Sequence, residues 1–165
     1  LWLDNNNLGC YEYNYECDPF GRESYCCVTH CDDINECSGD IPQSITNLNG
    51  LQHLQLQINN LSGFIPKEIG EMDSLKYLYL DNNQLSGEIP QSIGNLEILR
   101  RLYLYNNNLS GQIPESICNI YDINENLKLY LDNNQLCPGQ SGYPECIPNF
   151  ILDTKNVVIN KYCYN

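Results

Sequence analysis

Leucines recur along the middle of the chain with two superimposed periods. Within one unit they alternate with polar residues, as at Leu54 and Leu56, and the unit returns 24 residues later at Leu78 and Leu80. The alternation predicts a short strand with one apolar face. One strand cannot bury its leucines alone, so the repeat predicts a solenoid whose units stack into a parallel sheet over a continuous core.

Each unit continues with an asparagine and then a Ser-Gly-x-Ile-Pro string, at positions 38–42, 62–66, 86–90 and 110–114. The glycine permits a turn that other residues avoid, and the proline fixes an extended stretch towards the convex side. A buried asparagine amide must be hydrogen-bonded. We therefore expect a structural ladder of asparagines at the strand ends, formed by Asn6, Asn59, Asn83, Asn107 and Asn134.

Written as one line, the unit LxxLxLxxNxLSGxIPxxIGxLxx resembles the plant-type leucine-rich repeat of extracellular proteins. The resemblance implies an α/β-type repeat solenoid, a short arc with a parallel sheet of about five strands on its concave face. Its convex side would hold 3-10 turns and extended segments, and its ends would be disulfide-rich. We expect one domain over 1–165, with a cysteine-rich insertion at 9–37, regular repeats at 38–117, and a last repeat and cysteine-bearing cap at 118–165.

The ten cysteines cluster at the two ends of the chain and are absent from the regular repeats. An even number in this arrangement predicts disulfides and an oxidising compartment, so we expect a secreted or cell-surface location. The spacing leaves the pairing open. Candidate disulfide residues are Cys10, Cys17, Cys26, Cys27, Cys31 and Cys37 in the insertion, and Cys118, Cys137, Cys146 and Cys163 near the C-terminal end.

Composition narrows the function. A net charge of −13 argues against nucleic-acid binding, which depends on Lys and Arg, and favours cationic partners or solubility. No apolar run is long enough to span a membrane. With two histidines and no HExxH or GxSxG string, we predict no catalytic residue, cofactor or metal. Asp33–Cys37 resembles the start of a calcium-binding epidermal-growth-factor module, but the later cysteines of that module are missing.

The solvent-facing strand positions are rich in aromatic side chains. Tyrosine and tryptophan are enriched at protein interfaces because they offer a large rigid contact area with a polar tip. The alternative is that aromatic rings simply suit sheets and stack across strands. The candidate concave-face binding residues are Trp2, His53, Gln55, Tyr77, Tyr79, Arg101, Tyr103, Tyr105 and Tyr130.

Two non-enzymatic functions remain open, and both have protein or peptide partners. The first is an extracellular scaffold that associates end to end with other copies into fibres, because residues 1–8 form only half a unit and a strand at 157–159 of another copy could cover that edge. The second is a receptor-like or inhibitor-like module that binds a peptide, protein or glycan on its concave face. Two acceptor sequences also predict N-linked glycans on solvent-facing Asn60 and Asn108.

Overall fold

The computed structural model describes residues 10–14, 26–30, 39–123, 127–139 and 142–146. Short strands alternate with turns of helix along the chain. The strands are β1 Cys10–Asn14, β2 Cys26–His30, β3 His53–Gln55, β4 Tyr77–Tyr79, β5 Ser86–Gly87, β6 Arg101–Tyr103, β7 Asn108–Gln112, β8 Lys128–Tyr130 and β9 Gln135–Cys137. The 3-10 helices are Gln43–Asn47, Lys67–Glu71 and Gln91–Asn95. The α-helix is α1 Ile117–Ile123.

The concave sheet is parallel, in the order β3-β4-β6-β8. Its strands are in register, so that Leu54, Leu78 and Leu102 lie one above another, fully buried. Isoleucines from the convex side, such as Ile69 and Ile93, close the same core. The predicted solenoid is confirmed, and four strands of the expected sheet are described; the half unit at residues 1–8 lies outside the described residues.

A second parallel sheet, in the order β5-β7-β9, lies beside the first. The segments that follow the ladder asparagines form it, and the bridge between Phe64 and Ser86 continues it into the earlier unit. The Ser86 N–H donates to the Gly63 carbonyl at 2.7 Å. The sequence pattern predicted only a turn and an extended stretch here. Because the units stack in register, each extended segment meets its own copy in the next unit and pairs with it.

The glycine of each Ser-Gly-x-Ile-Pro string meets two demands. Gly87 has a φ of +73°, a region that L side chains rarely adopt. The ring of Phe64, which follows the glycine of the preceding unit, covers it so closely that a Cβ would lie 2.4 Å from the ring. The residue after each glycine therefore packs over the glycine of the next unit, which excludes a side chain there.

The convex side brings successive units into backbone contact. A Cβ on Gly94 would lie only 2.3 Å from the carbonyl oxygen of Ser116 in the next unit, so the glycine is required for the close approach. The last unit differs, because it carries α1 instead of a 3-10 helix. Cys118 takes the place of the glycine there, and three more residues separate Asn107 from Asn134 than separate Asn83 from Asn107.

Disulfides close the C-terminal end of the solenoid. Cys118 on α1 is bonded to Cys146, with an S–S distance of 2.04 Å, and Cys137 is also disulfide-bonded. In the insertion, β1 and β2 pair antiparallel and carry Cys10, Cys26 and Cys27. The remaining predicted disulfide residues, Cys17, Cys31, Cys37 and Cys163, lie outside the described residues.

Among the residues that the structure describes, no helix has the length and apolar character that crossing a membrane requires.

Candidate binding surface on the concave sheet

Side chains on the concave side of the sheet form three parallel columns. Strand pairing places equivalent residues of successive units side by side, and backbone hydrogen bonds just after the strands extend the alignment. We call them the basic column (His53, Tyr77, Arg101, Lys128), the aromatic column (Gln55, Tyr79, Tyr103, Tyr130) and the acidic column (Gln57, Asp81, Tyr105, Asp132). All the predicted concave-face residues from His53 to Tyr130 are thereby brought onto one face. Trp2 lies outside the described residues.

The aromatic column is a continuous row of tyrosine rings. The centroid of the Tyr103 ring lies 4.7 Å from those of both Tyr79 and Tyr130. This distance matches the spacing of about 4.8 Å between neighbouring strands, so strand register sets the ring contacts. The rings of Tyr79 and Tyr103 remain half-buried, and Tyr130 is 46% exposed. Stacking therefore uses only part of each ring and leaves the rest in contact with solvent.

Arg101 connects the basic column with the aromatic column. Its Nη1 donates to the Tyr79 hydroxyl at 3.1 Å, and its guanidinium carbon lies 5.6 Å from the centroid of the Tyr77 ring. Tyr77 in turn stacks on His53, with centroids 4.4 Å apart. The hydrogen bond to Tyr79 raises the pKa of Arg101. The arginine is thus held over the ring of Tyr77 while it remains exposed to solvent.

The acidic column contains a buried carboxylate. Asp81 is 3% exposed, and its Oδ2 accepts a hydrogen bond from Asn82 Nδ2 at 2.8 Å. Burial raises the pKa of Asp81, against the opposing effect of hydrogen bonds from Tyr105 and Asn82. Burial and the bond to Asp81 also raise the pKa of Tyr105. The side chain of Tyr105 is therefore fixed at the edge of the surface by the unit before it.

A second row of asparagines ends at this carboxylate. Asn133 Nδ2 donates to Asn106 Oδ1, and Asn106 Nδ2 donates to Asn82 Oδ1 at 2.7 Å. All three have φ between 53° and 55°, the left-handed region that asparagine tolerates better than most residues. Our sequence reasoning missed this row, although the doubled asparagines of the repeat were its signal. In the first described unit, Ile58 occupies the equivalent position, also with positive φ.

The inner asparagines lie at the ends of the concave strands. Asn83, for example, accepts from the Leu61 N–H at 3.0 Å and donates to the carbonyls of Leu56 and Leu80. Asn59, Asn107 and Asn134 are buried at equivalent positions, and Asn6 lies outside the described residues. These bonds join each strand end to the neighbouring unit and hold the surface in one conformation.

Three rings and one carboxylate form a depression at the end of the surface. Tyr103, Tyr105, Tyr130 and Asp132 line an open volume of about 350 Å³. The ring planes are steeply inclined to one another, at 53° for Tyr103 with Tyr105 and 79° for Tyr105 with Tyr130. The depression therefore spans the aromatic and acidic columns.

The two predicted glycan acceptors lie at equivalent places two units apart but differ in exposure. Asn108 begins β7 and is exposed, whereas Asn60 is half-buried.

Comparison with known proteins identifies the repeat class. Models of the leucine rich repeat match residues 35–85 and 99–120. Seventy-four solved chains match the structure. No match was found among curated protein sequences.

Several similar structures are plant receptor ectodomains. One is the membrane receptor kinase GASSHO1/SCHENGEN3 from Arabidopsis thaliana in complex with CASPARIAN STRIP INTEGRITY FACTOR 2 (36% identity over 71% of this chain and 13% of that chain, TM-score 0.57). A second is the Arabidopsis receptor kinase HAESA with the peptide hormone IDA and the co-receptor SERK1 (37%, 61% and 16%, TM-score 0.55). A third is the BIR3–SERK2 complex from Arabidopsis thaliana (35%, 66% and 55%, TM-score 0.58). The chain spans only part of the length of each.

Proposed function

The repeats of this chain are leucine-rich repeats of the plant type, and we propose that it is an extracellular, non-enzymatic module that binds a peptide or protein on its concave face. The observation that carries the proposal is the row of half-exposed tyrosines Tyr79, Tyr103 and Tyr130, with charged residues on both sides. Rigid aromatic rings beside fixed charges provide contact area at little entropic cost.

The comparisons support a partner of this kind. HAESA was solved with a peptide hormone and a co-receptor, and BIR3 with SERK2, so proteins with these repeats bind peptides and proteins. The disulfide between Cys118 and Cys146 suits an oxidising, extracellular compartment. An N-linked glycan on exposed Asn108 belongs to the same proposal.

End-to-end association into fibres lacks a comparable observation. The segments on which that prediction depends, residues 1–8 and 157–159, lie outside the described residues. The similar structures named above are complexes with peptides or other proteins, and none is described as a fibre.

A peptide selection tests the proposal. Random peptides displayed on phage are selected against the wild-type protein and then measured against a concave variant, Tyr79→Ala with Tyr103→Ala, and a convex control, Glu71→Ala with Asn95→Ala, both at exposed positions. We expect selected peptides to bind the control normally and the concave variant at least tenfold more weakly, a loss of about 1.4 kcal/mol. Equal binding to the two folded variants would refute a concave site.

A further inference from the structure

The three tyrosines of the depression are placed around a common point. Their centroids are separated by 4.7 Å (Tyr103–Tyr130), 6.4 Å (Tyr103–Tyr105) and 6.5 Å (Tyr105–Tyr130). The circle through them has a radius of about 3.5 Å, so a group just above it lies within the roughly 6 Å that cation–π contacts require of every ring. A cation at this place would be attracted by each ring whose face it meets, because a ring face carries partial negative charge.

The one charged residue that lines the depression has the matching sign, although the charge of Arg101 also acts on Tyr103. Asp132 lines it directly, and the buried Asp81 precedes Tyr105 in the acidic column. The cationic side chains Arg101 and Lys128 belong to the basic column, on the opposite side of the aromatic column. The net charge of −13 adds a long-range field that draws cations towards the protein.

We propose that Tyr103, Tyr105, Tyr130 and Asp132 form a cation-binding site that takes a lysine or arginine side chain of the peptide or protein partner. The site rests on the proposed function and adds the chemical class of the residue recognised. The alkyl stem of the partner residue would lie along the exposed face of Tyr130, and its charged head would meet the ring faces and the Asp132 carboxylate.

A small-molecule titration tests the site without knowledge of the partner. The protein, labelled with ¹³C in its tyrosine rings, is titrated with Nα-acetyl-lysine methylamide and, in parallel, with the neutral Nα-acetyl-norleucine methylamide, which keeps the alkyl chain. We expect shifts at Tyr103, Tyr105 and Tyr130 with the lysine derivative that exceed those with norleucine and weaken with added salt.

Variants assign the effect to the depression. Asp132→Asn and Tyr130→Leu should each weaken binding of the lysine derivative roughly three- to tenfold, because each removes one attraction to the charged head. Glu97→Gln is the matched control, since it removes one exposed negative charge on the convex side. Equal response to lysine and norleucine, or equal losses in Asp132→Asn and Glu97→Gln, would overturn the proposal.

The outcomes separate this inference from the function on which it rests. Selected peptides that bind the concave face without a basic residue, and that are insensitive to Asp132→Asn, would refute the cation site and leave the binding function standing. A specific lysine response, together with selected peptides that bind both folded variants equally, would support a cation site at the depression and refute the proposed concave binding function.

Discussion

Replacing Asn107 by alanine removes an amide that bonds to four backbone groups. One of them, the Tyr105 carbonyl at 3.4 Å, keeps a shorter bond from the Asn82 N–H. The Asn107 Oδ1 accepts from the Leu85 N–H at 3.0 Å, and its Nδ2 donates at 3.0 Å to the carbonyls of Leu80 and Leu104. The Leu80 carbonyl also accepts from Asn83, and the Leu104 carbonyl also accepts from Asn134. Both carbonyls therefore keep a donor in the variant, whereas the Leu85 N–H loses the acceptor described for it.

The expected loss of stability follows from this difference between the Leu85 N–H and the two carbonyls. A buried N–H without an acceptor costs about 1–3 kcal/mol, and two carbonyl bonds lost while a second donor remains cost roughly 1 kcal/mol together. Asn107 is buried and Leu85 is fully buried, so water does not readily replace the missing group. We expect Asn107→Ala to lower the free energy of unfolding by about 2–4 kcal/mol.

Equilibrium unfolding in urea, with the disulfides intact, measures this loss. Gln84→Ala is the matched control, because Gln84 follows Asn83 as Asn108 follows Asn107, is exposed, and its backbone bond to the Leu61 carbonyl survives the substitution. Native-state hydrogen exchange adds a local measurement: protection of the Leu85 amide should fall in Asn107→Ala and not in the control. Equal stability of the two variants, with the Leu85 amide still protected, would refute the argument.

Gly94→Ala should lower the free energy of unfolding in urea by about 2–3 kcal/mol, because its Cβ would meet a carbonyl oxygen. Gly50→Ala meets no atom but has a φ of +83°, so it should cost only the backbone strain of about 1 kcal/mol. Ile58→Asn should raise the free energy of unfolding by about 1 kcal/mol, since asparagine tolerates this φ of +55° better than a β-branched residue. The urea midpoint should rise accordingly, and a lower midpoint would contradict this. The pKa of Asp81 is raised on folding, so its contribution to stability is lost as pH rises through that pKa. Asp81→Asn should therefore gain stability relative to wild type as pH rises above the ordinary aspartate pKa of 3.8; a difference that stays constant with pH would contradict this.

The repeat carried most of the information about the fold. Any position that returns every 24 residues occupies the same place in each unit, so alternating leucines such as Leu78 and Leu80 predict both the strand and its neighbours. The second sheet was missed because two of its strands, β5 and β9, are short and their segments contain a glycine or a cysteine instead of alternating apolar residues. Its pairing depends on the stacking of units, which local patterning does not express.

The site was predictable as a surface but not as a set of contacts. Alternation placed Tyr79 and Tyr103 on the solvent side, and strand register then made them neighbours. The burial of Asp81 was not predictable, because strand alternation places this residue with the solvent-facing positions of the acidic column. The depression beside Asp132 depends on ring rotamers, which a sequence pattern does not determine.

Comparison of the units within this chain distinguishes the positions that hold the fold together from those that are available to bind a partner. A solenoid demands the same residue wherever successive units meet, and the leucines, the inner asparagines and the turn glycines satisfy that demand in each regular unit. The basic column does not lie where successive units meet in the core, and its residues differ from unit to unit: His53, Tyr77, Arg101 and Lys128. Because the constant residues hold the strands rigidly, the changing residues keep fixed positions relative to one another. Each unit thereby contributes a different chemical group at a known place, so a partner that lies across the strands would meet an ordered series of groups.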